Sequence, residues 1–337
     1  MSHKKCRPAY AWRTGAIALL LAAMPPYVTT SRAADLTERY PLRPLRVIIG
    51  FPPGGPVDIQ ARVIMQKLGD ALQQSVVIDS RPGADGVIGN DLVAKATPDG
   101  YTLLYGSASH VINQILRAKT LPYHAIRDFA PCGLLTHSAF LLIAHPSLPA
   151  NTIGELIALA KARPGTLSYG SSGSGSMPHL AGEYLKILAR ISLTHIPYKG
   201  AAPSLTDVLG GQIPLAFVGP PPALPHIKSG KIKVLAVTGS KRAAALPQVS
   251  TVAEAGFRDY DVAAWYGFFA PAKTPRAIVD RLNRELRTIL GMMEVRERLS
   301  VLGLEPVGST PSEHAAHLEA ELARWTPVVK FAGLRID

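Results

Sequence analysis

One local design, written twice, constrains this chain more than any other feature. Leu45 to Phe51 is a short apolar run rich in β-branched residues, which Pro52-Pro53-Gly54-Gly55-Pro56 stops. Ile59, Val63, Leu68 and Leu72 then recur at helical spacing. This reads as strand, glycine turn, helix. Leu167-Ser168-Tyr169-Gly170, the loop Ser171 to Ser176 and a helical stretch from His179 to Ala189 repeat it in the second half. Glycines let backbone approach a ligand closely, and the unpaired N–H groups of a helix's first turn point into the same space. That end of a helix carries partial positive charge, so each turn suits an anion, most simply a carboxylate. Two of them on separate half-chains are what a two-lobed clamp requires.

The intervening sequence alternates in the same way. Val76-Val77-Ile78 reads as a strand, Arg81 to Gly89 as a glycine turn leading to a helix through Val93, and Tyr101 to Tyr105 as a third strand. Such β-loop-α alternation favours a parallel sheet flanked by helices, with ligands beyond the carboxyl ends of the strands. Gly106 to His110 lies at such an end. Cys132 to Ala144 is apolar without helical period and reads as a segment crossing between lobes. Further strands are expected at Ser192 to Pro197, Ile213 to Val218 and Lys233 to Val237, with the triplet Pro220-Pro221-Pro222 beginning a loop. Trp265 to Pro271 reads as a strand returning to the first lobe, on whose outside helices at 275–290 and 312–331 should pack. The expected organisation is a signal at 1–33, a first lobe from 34–135 plus 260–337, and a second lobe from 136–259.

The first 33 residues differ from the rest. Lys4, Lys5, Arg7 and Arg13 form a basic head, Ala16 to Met24 an apolar run too short to span a bilayer, and Ser31-Arg32-Ala33 a small-x-small cleavage site. The expectation is a cleaved secretory signal and a periplasmic mature protein. Its removal takes five basic residues and no acid, lowering the net charge from +12 to +7. The remainder has no run of Lys or Arg, which argues against nucleic acid as a partner. Cys6 leaves with the signal, so Cys132 is alone and no internal disulfide can form.

Enzymatic readings fit poorly. A serine of the Ser171 to Ser176 loop with His179 or His195 and Asp207 would make a triad, yet no Gly-x-Ser-x-Gly window occurs. Gly83, Gly86 and Gly89 follow GxxGxxG and not the dinucleotide GxGxxG, so helix-on-strand packing explains them more simply. There is no GxxxxGK[ST], and the ten histidines show no metal-ligand spacing, so neither cofactor nor metal is expected. Asp58 is better placed to fix the glycine turn than to act as an acid.

FPPGGPVDIQAR (51–62), RPGADGVIG (81–89), DGYTLLYGSASHVIN (99–113), LPY (121–123) with DFAP (128–131), YGSSGSGSMPHLAGE (169–183), HIPYKGAAPSLTDVLGGQI (195–213) and WYGFFAPAKTP (265–275) stand in order along the chain. Together they resemble the solute-binding receptors of tripartite tricarboxylate transporters, the Bug receptors. The resemblance implies an α/β, type II periplasmic binding protein fold. Each lobe would hold a mainly parallel sheet flanked by helices, and two crossing strands would join them. It also implies a non-enzymatic monomer that closes on a small carboxylate and delivers it to a membrane permease. Carried across by position, it implicates Pro53, Gly54 and Asp58, with Ser107 nearby, on one lobe. On the other it implicates Ser172, Gly173, Ser174, Ser176 and His179, with Tyr198, Val218 and Gly219 shaping the far end. The family often has Thr at Val57, Gly at Asp85 and an Asp-Asn pair at Val218-Gly219. Loss of that pair leaves the far end apolar, so a monocarboxylate or aromatic acid is expected over citrate. Rival readings are a secreted serine hydrolase and a ligand sensor for a signalling partner.

Overall fold

The first β-strand, β1 (Leu45–Ile49), lies next to the edge of a six-stranded sheet that runs β11 (Glu305–Pro306), β4 (Phe129–Ala139), β10 (Ala263–Pro271), β3 (Thr102–Ser107), β1, β2 (Val76–Ser80). Its β-branched residues pair in parallel with β2 on one side and β3 on the other. The computed structural model describes residues 39–334 together with Met1. The expected signal at 1–33 therefore lies, apart from Met1, outside the described residues. From Arg39 onward the chain forms one compact unit.

Helices cover both faces of this sheet. On one lie α1 (Pro56–Leu72), α8 (Arg276–Gly291) and α9 (Met293–Val301), burying Leu45, Val47, Ile49 and Tyr105. On the other lie α2 (Val87–Ala94) and α3 (Ser109–Leu116), burying Ile48, Leu104 and Phe269. The buried stripe of α1 is Val57, Ala61, Ile64, Met65, Leu68 and Leu72. Ile59, expected inside, is 42% exposed. Both readings have helical period, and burial of Ala61 shows that α1 packs close on the sheet through a small residue.

The second sheet runs β7-β6-β8-β5-β9. Here β6 (Ser168–Ser171) pairs in parallel with β7 (Thr194–Pro197) and β8 (Leu215–Val218), while β5 (Leu141–Ala144) runs antiparallel between β8 and β9 (Lys233–Val237). Helices α4 (Ile153–Ala162) and α5 (Met177–Ala189) close one face, and α6 (Ala201–Leu209) with α7 (Pro220–Lys228) the other.

Two crossings join the sheets. The long β4 (Phe129–Ala139) belongs to the first sheet and becomes β5 of the second across Phe140 alone. The return is β10 (Ala263–Pro271), antiparallel to both β3 and β4. Both sheets are accordingly mixed and not mainly parallel: the strands that carry the chain between lobes run against the β-loop-α strands beside them. Buried Thr238 pins the two crossings together. Its Oγ1 accepts the Phe140 N–H at 2.8 Å and donates to the Val262 carbonyl at 2.6 Å. Edge strand β11 (Glu305–Pro306) adds to β4.

Helix α10 (Pro311–Phe331) was expected only on the outside of the first lobe, but it serves both. Leu318 packs in the first lobe's core, and Trp325 and Val328 pack in the second's. Between them, buried Glu321 takes both indole N–H groups, from Trp265 and Trp325, at 2.9 Å each, and Arg324 at 3.0 Å. The proline triplet also departs from expectation. It opens helix α7 because the first helical turn needs no N–H from its residues.

Candidate ligand-binding site

The carboxyl end of β1 turns at Gly50 directly over α2. A β-carbon on Gly50 would sit 2.5 Å from Gly86 Cα, and one on Gly89 3.0 Å from Gly50 Cα. The GxxGxxG spacing is thus a packing device between strand and helix. Beyond it, Pro52 to Gly55 lead into α1, whose first residue is Pro56. Asp58, 2% exposed, reaches back from the first turn: its Oδ2 accepts the Gly54 N–H and Arg62 Nε, each at 2.9 Å. The Arg62 hydrogen bond, helped by Gly54, holds this carboxyl below the usual aspartate range against the cost of burial. Asp58 therefore stays ionised and locks the turn, and Arg62 neutralises it. Among the described residues the N–H groups of Val57 and Asp58 have no acceptor. Pro53 is exposed on this turn.

Ser107 ends β3, two positions past the Ile49↔Tyr105 register pair, and so stands beside the turn. Its hydroxyl lies 3.0 Å from that of Ser109, the first residue of α3. A β-carbon on Gly86 would lie 3.7 Å from Ser109 Oγ and 3.6 Å from the Phe51 ring, so both side chains line the space over that glycine. Sequence reading missed Ser109, whose helix went unrecognised; the Ser-x-Ser repeat after a strand was its only signal.

The second lobe offers the loop between β6 and α5. Inside it, alternate residues are committed. The Gly173 N–H donates to Ser171 Oγ at 3.1 Å, the Gly175 N–H to His179 Nδ1 at 3.0 Å, and Ser176 Oγ to the Gly173 carbonyl at 2.7 Å. Ser176 also caps α5 by accepting the His179 N–H. Ser172 and Ser174 are left with hydroxyls and N–H groups unpartnered among the described residues, and Ser174 is exposed. The donors of this loop are thus the two serines, held by the residues between them.

The remaining sequence candidates take different places. Tyr198 donates its N–H to the Ser171 carbonyl at 3.2 Å and its hydroxyl to Asp207 at 2.6 Å. Burial and that carboxylate push its phenol up to about 12, so its hydroxyl stays protonated and engaged with Asp207. Val218 is fully buried under α6 and α7, leaving Gly219, the N-cap of α7, at the rim. Pro220, Pro221 and Pro222 then deprive this helix of three N–H donors. The rim reaches the first lobe: a β-carbon on Gly303, in the turn after α9, would sit 2.8 Å from Pro221. On the other side Gly175 lies against Leu116 of α3.

The triad does not assemble. Asp207 is held by Tyr198, and the serine of this segment that meets a histidine ring is Ser171, 2.7 Å from His195 Nε2 and fully buried beneath the loop.

Two α/β lobes on mixed sheets, joined by crossing strands and presenting donor loops, are the architecture of periplasmic binding proteins. The family model described as the tripartite tricarboxylate transporter family receptor matches residues 60–334, and the chain belongs to that family. It is 35% identical over 320 residues to Protein BugT of Bordetella pertussis, covering 94% of this chain and 98% of BugT. Among solved structures, R. palustris Rpa4515 with adipate is 37% identical with TM-score 0.73, covering 88% of this chain and 99% of that one. The periplasmic binding protein BugD is 34% identical with TM-score 0.70, again covering 88% and 99%. The family is one of receptors, and this chain is a binding protein and not an enzyme.

Proposed function

We propose that this protein is a periplasmic receptor that captures a small organic carboxylate between its lobes and delivers it to a membrane permease of the tripartite tricarboxylate type. One observation carries the reading: each lobe presents a loop braced by its own internal hydrogen bonds in which a subset of donors is left without acceptors among the described residues. A buried carboxylate costs several kcal/mol to desolvate unless such donors replace its water. Val57 and Asp58 N–H groups with Ser107 would serve one side, Ser172 and Ser174 the other. Pro53, Gly54, Gly173, Ser176 and His179 would shape the turns, and Tyr198 would supply an apolar ring. Adipate in Rpa4515 is consistent with this class.

At the far end, Val218 is withdrawn into the core and α7 begins with residues that cannot donate. A second carboxylate there would lose its water without replacement, so a monocarboxylate or aromatic acid is favoured over citrate. The receptor is proposed to act as an exported monomer. Mass spectrometry of acid co-purifying with the protein, followed by calorimetric titration with benzoate, adipate and citrate, tests the reading. Benzoate is expected to bind more tightly than citrate. Tight citrate binding without benzoate binding would remove the preference, and no binding by any carboxylate would remove the function.

A further inference from the structure

Beneath the serine loop lies a feature that carboxylate capture does not by itself require. His179 and His195 stack face to face, with ring centroids 3.6 Å apart and planes 11° from parallel. Each ring is tied to the loop. His179 Nδ1 accepts the Gly175 N–H, which puts its proton on Nε2, facing Glu183 at 3.8 Å. His195 Nε2 meets Ser171 Oγ, which accepts the Gly173 N–H and lies 3.1 Å from the Gly173 carbonyl. With the serine hydroxyl turned to that carbonyl, His195 Nε2 carries the proton. The parallel pairing of β6 with β7 brings the partners together: Tyr169 registers with His195 and Ser171 with Pro197.

We propose that Ser171, His195 and His179 are positioning residues that hold the Gly173 and Gly175 N–H groups inward, and that this fixes Ser172 and Ser174 outward toward the ligand. The ligand role rests on the function proposed above; the brace itself does not. It works only with both rings neutral. Protonating His179 at Nδ1 puts a donor where Gly175 needs an acceptor, and charging either ring places a cation on its stacked neighbour. The other charged or titratable groups around the pair are Tyr169 on β6 and Glu183 with Lys186 on α5. Tyr169 donates to Glu183 at 2.7 Å and Lys186 pairs with it at 2.8 Å, so that carboxylate is already engaged. Burial, then His179 and Lys186, lowers His195 to about 4, and burial lowers His179 despite Glu183.

The test is amide hydrogen exchange of Gly173 and Gly175 in the ligand-free protein, alongside adipate, benzoate and citrate titrations. In the wild type both amides are expected to be protected at neutral pH and to lose protection together as pH falls from about 6.5 toward about 4. Ser171→Ala is expected to cut Gly173 protection roughly tenfold, the factor that one lost hydrogen bond carries. His195→Gln, which keeps a donor for Ser171, should retain protection at neutral pH and remove the part of the acid response due to His195. Full protection in Ser171→Ala, or an unchanged acid response in a folded His195→Gln, His179→Gln double variant, would overturn the brace. If the wild-type amides behave as stated but adipate, benzoate and citrate all fail to bind, the brace stands and the carboxylate reading falls.

Discussion

Asp85 sits in the left-handed region at φ 55°, in the short 3-10 turn Ala84–Gly86 over the end of β1. A side chain there is strained, and glycine would adopt the same angles freely. Asp85→Gly is expected to raise stability by up to about 1 kcal/mol, less what the more flexible unfolded chain takes back. Denaturant melting would read it; a clear loss would mean that the carboxylate makes a stabilising interaction. Ser174 makes the opposite case, because its side chain has no structural partner among the described residues. Ser174→Ala should leave the melting midpoint within about 0.5 kcal/mol of the wild type. It should weaken carboxylate binding by roughly tenfold or more, as loss of a hydrogen bond to a charged group does. Unchanged affinity by calorimetry would take Ser174 out of the site.

Elements were legible where composition and period agreed. The strands at Leu45, Val76 and Tyr101 are β-branched or aromatic runs bounded by Gly and Pro, and all three form. Thr152 caps α4 through the Glu155 N–H, and the Thr-x-x-Glu spacing that makes the cap stands in the sequence. Helix α3 was not, because its buried face includes His110 and Asn113, polar residues that count against an apolar stripe. His110 is satisfied inside by Asn90 and the Ala125 carbonyl, a pairing that depends on tertiary structure. The glycine loops could be placed from sequence, but not the division of labour within them. Ser171 and His195 lie 24 residues apart and meet only because β6 and β7 pair. The element on which most depends is α10. Removing Glu321 would leave two buried indole N–H groups and Arg324 without their acceptor, so Glu321→Ala should cost roughly 2–4 kcal/mol. Chemical denaturation would check this, and a change below 1 kcal/mol would show that water replaces the carboxylate.

At the scale of the molecule, the closure proposed above would depend on small residues where the lobes meet. Gly303→Val would place its branches against Pro221 and force a β-branched residue to φ 68°, so it should hold the lobes apart, weaken ligand binding at least tenfold and also lower the melting midpoint of the ligand-free protein. Small-angle scattering should show the variant more open with ligand than the wild type; equal closure would refute this. Acid acts on the whole fold. His110, His179, His195, His314 and His317 are all held below their ordinary range chiefly by burial. Neutral when folded, they take up protons on unfolding below about pH 6.5, so stability is full above that value and declines as pH falls toward about 4. A urea midpoint that stays constant from pH 7 to pH 5 would contradict this.

The strand order has one further consequence, for the timing of assembly. β10 lies between β4 and β3, near the middle of the sheet that β1 begins, yet more than 150 residues separate it from Ser107. While the chain is being synthesised, the first half of that sheet must wait with an open edge until nearly four-fifths of the polypeptide has emerged. Such long-range pairing slows folding, and a nascent chain that remains loose until late is one that a secretion channel can still thread.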